Sequence, residues 1–252
     1  MVQQVFGKRA SFYVDSKAHT DQEVLRTVGQ MCGDLEGRTV LDVATGTGHT
    51  ALFLAPKAGT LVGLDITREM LRLARKASVE KGIPNIYWVR GDVISLPFPD
   101  ERFDMVCSRR APHHFPDLEA ALKEMGRVLK EGGRLVVDDR SVPEDGEVDR
   151  TMNLLDRLHD PSHVREYGMR EWEGALRTVG MKVEKVHQYR RHLPLTSLTG
   201  NAEEGNAREI ERVVAALPSD LRDRMAVEEV EGDTYLDHYF ITLQAVKRSA
   251  TK

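Results

Sequence analysis

Thr39-Val-Leu-Asp-Val-Ala-Thr-Gly-Thr-Gly-His-Thr50 and, just beyond it, Leu61-Val-Gly-Leu-Asp65 decide the fold of this 252-residue chain. Each stretch reads as an apolar strand ending in an acid. Between them lie a glycine-rich turn and a short apolar helix, 49–57. A strand–turn–helix–strand unit of this kind crosses over right-handed and gives parallel strands. Its ligands sit at the carboxyl ends of the strands. Gly46 and Gly48 let the backbone turn tightly and approach a ligand without a Cβ in the way. The amides that open the next helix face a negatively charged ligand group. Asp65 stands at the tip of the second strand, where a carboxylate can accept both hydroxyls of a ribose.

The same alternation continues outward. Apolar residues at helical spacing (Val24, Leu25, Val28, Met31, Cys32, Leu35) predict a helix over 21–35. A second helix is expected over 67–81, with Thr67 as its N-cap and Gly82 as its stop. Strands follow at 85–90, 103–107 and 134–138, with a helix over 118–129 before the Gly132-Gly133 break. Strands alternating with helices of this length mean a mainly parallel sheet. After Asp139 the pattern changes. Helices over 147–159 and 170–179 lead to a strand at 181–189. A polar, helix-rich stretch precedes a last strand at 234–245. The two late strands are read as an antiparallel pair closing the sheet edge, and 191–230 as a cap inserted over the carboxyl ends and roofing an acceptor pocket. The whole chain is then one domain: an N-terminal lid and first helix (1–38), a cofactor-binding core (39–140), helices (141–180), the cap, and a last strand (234–252).

Composition sets the outer limits. Hydrophobic residues at 40% and charged residues at 30% are ordinary for a globular domain. A net charge of -4 argues against a surface dominated by nucleic-acid binding. Two distant cysteines, Cys32 and Cys107, form neither a CxxC motif nor a disulfide framework, which suits a reducing cytoplasm. No apolar run reaches the roughly 18 residues of a membrane span, and the first residues carry no apolar signal core.

The glycines alone do not choose a cofactor, because Gly46-Thr-Gly-His-Thr-Ala51 also satisfies a dinucleotide-binding pattern. Two acids break the tie. Asp42 lies four residues before Gly46, where a dinucleotide fold keeps apolar side chains. A carboxylate there repels a pyrophosphate but suits a ligand carrying an ammonium and a sulfonium, as S-adenosylmethionine (SAM) does. Gly91-Asp92-Val93 then places a carboxylate after the third strand, where an adenine amino group can be read. Each acid also has a structural reading: Asp42 as a cap or buried ion-pair partner, Asp65 as a helix N-terminal acid, Asp92 as turn chemistry.

Val40-Leu-Asp-Val-Ala-Thr-Gly-Thr-Gly48, Gly63-Leu-Asp65, Gly91-Asp92, Leu96-Pro-Phe98, Phe103-Asp104 and Arg127-Val-Leu-Lys-Glu-Gly-Gly133 together resemble a class I SAM-dependent methyltransferase, akin to the ubiquinone/menaquinone biosynthesis C-methyltransferases. Ala111-Pro-His-His-Phe115 and Leu158-His-Asp-Pro-Ser-His-Val-Arg-Glu166, with Glu171-Trp172, resemble an uncharacterised bacterial branch of that family. The resemblance implies a Rossmann-like, seven-stranded sheet with an antiparallel edge pair and a helical cap. It implies SAM as cofactor and S-adenosylhomocysteine as product. Asp42, Gly46 and Gly48 then belong near the methionine portion, Asp65 and Ile66 at ribose and adenine, and Asp92 and Val93 at the adenine edge, with Ala44 and Gly91 also among the cofactor-binding residues. Ser108 and Arg109 line the methyl-transfer site.

A sulfonium methyl is already a strong electrophile, so the protein mainly has to position a nucleophile. A base is needed only where the acceptor must lose a proton. The His113-His114 pair follows the fourth strand at the ligand rim and supplies the candidates. Adjacent turn residues diverge, so one points inward and the other packs or caps. Arg109 and Arg110 stand ready to hold an acidic or phenolate acceptor, or else are solvated. His159 and His163 have metal-binding spacing, but Pro161 breaks the helix between them. Phe6, Phe12 and Tyr13 either fold over the cofactor or pack on the domain. The expected activity is therefore methyl transfer to a small organic acceptor at O, C or N, quinone- or phenol-like molecules included. The alternatives are an NAD(P)-dependent oxidoreductase, resting on the glycine pattern alone, and a SAM-binding scaffold without catalysis. The acceptor is the expected partner, with no nucleic acid, and a homodimer through the edge strand or cap is the default assembly.

Overall fold

The computed structural model describes residues 20–248. Phe6, Phe12 and Tyr13, and with them the expected N-terminal lid, lie outside these residues. Helix α1 (Gln22–Cys32) opens on Asp21, whose carboxylate accepts from the Glu23 and Val24 amides at 2.9 and 3.2 Å. That side chain satisfies two of the amides a helix start leaves without a partner. Then β1 (Thr39–Val43), α2 (His49–Leu54), β2 (Thr60–Asp65), α3 (Arg68–Glu80), β3 (Ile86–Arg90) and β4 (Phe103–Arg109) follow in alternation. They are succeeded by α4 (Leu118–Val128), β5 (Leu129–Ser141), α5 (Gly146–His159), α6 (Met169–Thr178) and β6 (Met181–Pro194). Three cap helices, α7 (Thr196–Thr199), α8 (Glu204–Ala215) and α9 (Ser219–Arg224), precede β7 (Glu228–Val230) and β8 (Asp233–Lys247).

The sheet runs β3-β2-β1-β4-β5-β8-β6. Its first five strands are parallel, and β8 pairs antiparallel with both β5 and β6. The seven-stranded path and the closing pair 181–189/234–245 are thus present, in longer strands. An eighth strand was not expected: three-residue β7 pairs with β8 inside the stretch read as cap. Because β6 continues to Pro194, the insertion starts at 195 rather than 191. The helix expected over 49–57 is α-helical only to Leu54, and Ala55–Lys57 tightens into a 3₁₀ turn around Pro56, which has no amide hydrogen to donate. Thr67 stands at the N-cap of α3 but its side chain makes no capping bond; Asp65 accepts the Thr67 amide instead, at 2.8 Å.

Val40, Leu41 and Val43 of β1 are fully buried because helices cover both faces of the sheet. On one face Leu122 and Met125 of α4 meet Trp172 and Leu176 of α6. On the other, Val24 and Val28 of α1 pack with Leu54 of α2. The cap has its own small core, in which Ile210, Val214 and Leu221 close on Val148, Met152 and Leu155 of α5. Both β6 and β8 overrun the end of β5, and the cap hangs from that overrun at the carboxyl edge.

Candidate active site

A cavity of about 210 Å³ opens at the carboxyl ends of β1, β2, β3 and β4. Asp42, Asp65 and Asp92 all line it. Asp42 is 1% exposed, accepts from the Thr45 hydroxyl at 2.5 Å, and has the Cys107 thiol at 3.5 Å. Burial lifts its carboxyl to about 6, against the opposing pull of Thr45, Arg109 and Cys107. Asp65 accepts from two backbone amides, Gly46 on one oxygen and Thr67 on the other, both at 2.8 Å. Burial still raises its pKa. Two acids that cost energy to ionise therefore face the same space, a setting that favours a cationic or hydroxyl-bearing ligand.

The two turn glycines do different work. Gly46 lines the cavity at φ +56°, and a Cβ built on it would meet nothing within 4 Å. Gly48, at φ +86°, is absent from the cavity wall. Its missing Cβ makes room for Trp88, whose Cη2 would lie 2.7 Å away, and for Ala74 at 3.0 Å. Trp88 occupies Gly63 in the same way. Only the first glycine serves the cavity; the second serves packing of an indole that the motif does not contain. Ala44, Ile66, Gly91 and Val93 also line the cavity.

At the end of β4 the chain delivers Arg109 and Arg110 to the rim in succession. Neighbouring strand residues normally point to opposite faces. Arg110 escapes this by adopting φ +53°, a left-handed conformation rare for a side chain of its size. Both arginines consequently line the cavity. Arg109 donates to Thr50 Oγ1 at 2.9 Å. Arg110 pairs with Asp138 at 3.1 Å, donates to the Tyr189 hydroxyl at 3.0 Å, and stacks its guanidinium 4.1 Å from the Phe240 ring. Ser108, in contrast, is 1% exposed and off the cavity, its hydroxyl donating to the Val43 carbonyl at 3.0 Å.

The 3₁₀ turn Pro112–His114 splits the two histidines. His114 lines the cavity. His113 is turned beneath it onto Asp139, with Nδ1 2.6 Å from Oδ1 and its amide donating to Oδ2 at 2.8 Å. Burial depresses both imidazoles to about 3 and raises Asp139 to about 6. Both rings are thus neutral at pH 7.

The family follows from three comparisons. The methyltransferase-domain family matches residues 41–137, the segment that carries all three carboxylates and both arginines. The uncharacterized methyltransferase YcgJ of Bacillus subtilis is 39% identical over 193 residues, covering 75% of this chain and 74% of that protein. Its crystal structure superposes with a TM-score of 0.85 at 31% identity, over 90% of this chain and 99% of that one. The chain belongs to the class I SAM-dependent methyltransferase family. A demethylmenaquinone methyltransferase of Lactococcus lactis is 34% identical over 151 residues, 56% of this chain and 59% of that protein, so the methyltransferase relationship extends to that group. The geranyl diphosphate C-methyltransferase of Streptomyces coelicolor, at 14% identity and a TM-score of 0.64 over 91% of this chain and 79% of that one, shares the fold alone.

Several parts of this methyltransferase's site escape its motifs. Behind the His113-His114 turn lies a buried ionic group in which Arg140 contacts Asp156 at 2.7 Å, Glu166 at 2.5 Å and His238 Nδ1 at 3.1 Å. His238 reaches the cap through Ser197 at 3.3 Å. Against the cost of burial Arg140 holds Asp156 well below the carboxylate range, whereas burial and then Asp156 push Glu166 far above it. Among the described residues, none from 195–230 lines the cavity; Leu195, Leu198, Val213 and Leu217 pack into the cap core. His159 ends α5, and its Nδ1 lies 2.6 Å from the Leu198 carbonyl oxygen, while His163 faces Asn153.

Proposed function

We propose that the protein transfers a methyl group from SAM to a small organic acceptor bound in the β1–β4 cavity. The observation that carries this reading is that three carboxylates, each from the end of a different neighbouring strand, line one cavity around a glycine with open space above it. Those residues fit the cofactor. Asp42 would take its ammonium group, and the space above Gly46 admits the methionine chain. Each Asp65 oxygen already accepts one amide and keeps a second lone pair for a ribose hydroxyl. Asp92, whose Oδ1 accepts the Ile94 amide at 3.2 Å, would read the adenine amino group with its other oxygen. Bound there, SAM supplies a methyl group already activated by a sulfonium.

The chain's own contribution is then orientation and proton handling. Arg109, Arg110 and His114 form the wall on the β4 side, where an acceptor would sit. Positioning of this kind is worth roughly 7–11 kcal/mol of barrier, and a well-placed base about a further 10²–10⁴ in rate. His114 is the group proposed to accept a proton; His113 supports the turn. Residues 1–252 act as one catalytic domain, with the cap influencing the acceptor side from behind through His238 and Arg140.

Binding is tested by thermal denaturation. SAM and S-adenosylhomocysteine raise the melting temperature, NAD(P) does not, and Asp65→Ala removes the rise. Failure of both SAM-type ligands to shift the wild-type transition would overturn the reading. Transfer of labelled methyl to a phenol or quinol panel then separates an enzyme from a scaffold that only binds.

A further inference from the structure

Beneath the cavity wall, residues 160–165 are zipped onto the His113-His114 turn. The amides of Val164 and Arg165 both donate to the His113 carbonyl, at 2.8 and 3.2 Å. Within this frame Asp160 Oδ1 accepts twice from Ser162, from its amide at 2.8 Å and from its hydroxyl at 2.7 Å. Ser162 in turn lies against His114 Nδ1, with its carbonyl oxygen and its hydroxyl oxygen each 3.2 Å away. Asp160 and Ser162 are buried, and neither lines the cavity.

Proton accounting fixes the state of the ring. A carboxylate can only accept, so the Ser162 hydroxyl directs its hydrogen to Asp160 and presents lone pairs to His114. A carbonyl can only accept as well. The Ser162 carbonyl and hydroxyl oxygens are therefore both acceptors toward Nδ1, so Nδ1 carries the hydrogen and the lone pair of the neutral ring falls on Nε2. We infer that Ser162 and Asp160 are positioning residues that hold His114 as its Nδ1–H tautomer, with Nε2 as the proton acceptor of the cavity.

The role assigned to this arrangement rests on the methyl-transfer reading and deepens it: the acceptor is one whose reacting atom bears a proton, such as a hydroxyl, phenol or acidic C–H. That proton passes to Nε2, and the electron pair of the broken bond stays on the acceptor atom as its nucleophilic pair. The ring's new positive charge is shared through Nδ1–H and Ser162 with Asp160. Among the other groups near the ring are His113, packed at a centroid distance of 4.0 Å, and Asp139, which is engaged by His113. Asp160 is the carboxylate joined to His114 by hydrogen bonds through Ser162.

The test is nitrogen-15 NMR of the imidazoles in the ligand-free protein at pH 7, with the His114 signals assigned by their loss in His114→Gln. It needs no cofactor, so its outcome is independent of the SAM-binding experiment. The expected wild-type spectrum shows His114 protonated on Nδ1 with an unprotonated Nε2. In Ser162→Ala the ratio of this tautomer to the other falls roughly tenfold, the worth of one buried hydrogen bond, and Ser162→Thr restores it. Unmoved His113 signals report that the turn is intact. A wild-type His114 protonated on Nε2 overturns the inference without any variant. So does a Ser162→Ala ratio that stays at the wild-type value while the His113 signals hold their places.

Discussion

The two walls of the cavity are built on different plans. The β1–β3 wall is assembled from short sequence intervals, with Asp42, Gly46 and Asp65 joined by backbone turns and by one bond from the Gly46 amide to Asp65. The wall on the β4 side is held from far away in sequence. Thr50 receives Arg109 and Tyr189 receives Arg110. Asp139 anchors His113, and Arg140 meets His238, 98 residues further along the chain on the adjoining strand β8. The parts of the first wall travel together in sequence, whereas each partner in the second sits on a separate element.

The largest expected effect falls on the second plan. Arg140→Met leaves Asp156 buried as a charge without its guanidinium, and losing one partner of a buried pair costs about 3–5 kcal/mol. Urea unfolding should show this as a lower midpoint with an unchanged slope. A loss of stability below 1 kcal/mol would mean that the ionic group does not hold the structure behind the β4-side wall, and the contrast between the walls would break.

Within the first plan, the contrast between the two glycines comes next. Gly48→Ala drives a methyl into Trp88 and Ala74, which adds roughly 1–3 kcal/mol of overpacking to the left-handed backbone cost it shares with Gly46→Ala. The Gly46 variant keeps more stability but fills cavity space, so it loses the SAM-induced rise in melting temperature. The Gly48 variant, where folded, keeps that rise. Reversed outcomes would exchange the roles of the two positions.

Asp42 sharpens the same wall through pH. Its folded pKa of about 6 lies above the ordinary carboxylate value, so it favours folding below pH 4 and that contribution is lost as pH rises through 6. A cationic ligand needs the opposite, ionised form. SAM affinity should therefore weaken up to about tenfold for each unit that the pH falls below 6, about 1.4 kcal/mol per unit, and level off above it. Calorimetric titration at several pH values reads this directly, and Asp42→Asn should bind weakly with a flat profile.

Legibility in the sequence follows the same division. The alternating strands and helices, and the acids and glycine at their junctions, could be picked out because a strand tip, a turn and a helix start are all specified by adjacent residues. Trp88 as the reason for Gly48, Asp160 and Ser162 as the support of His114, and the Arg140 group could not, since nothing local marks residues brought together only by the finished sheet. The eighth strand and the start of the cap at 195 were hidden for a related reason: β6 continues through Arg190-Arg191-His192, polar residues whose strand conformation is set by pairing with β8.

Ser108 gives the smallest effect and the finest test. The resemblance carries Ser108 and Arg109 together to the methyl-transfer site, but strand alternation sends them to opposite faces. Arg109 reaches the cavity, so Ser108 is left to bond the Val43 carbonyl and tie β4 to β1. Ser108→Ala removes that one hydrogen bond, a cost of about 1 kcal/mol, and should leave the SAM-induced rise in melting temperature intact. Arg109→Ala should diminish that rise or the turnover while sparing the β1–β4 contact. Loss of SAM binding in Ser108→Ala at unchanged unfolding energy would put the hydroxyl in the cavity, and the end of β4 would then have to be rotated by one residue, taking Arg109 and its bond to Thr50 with it.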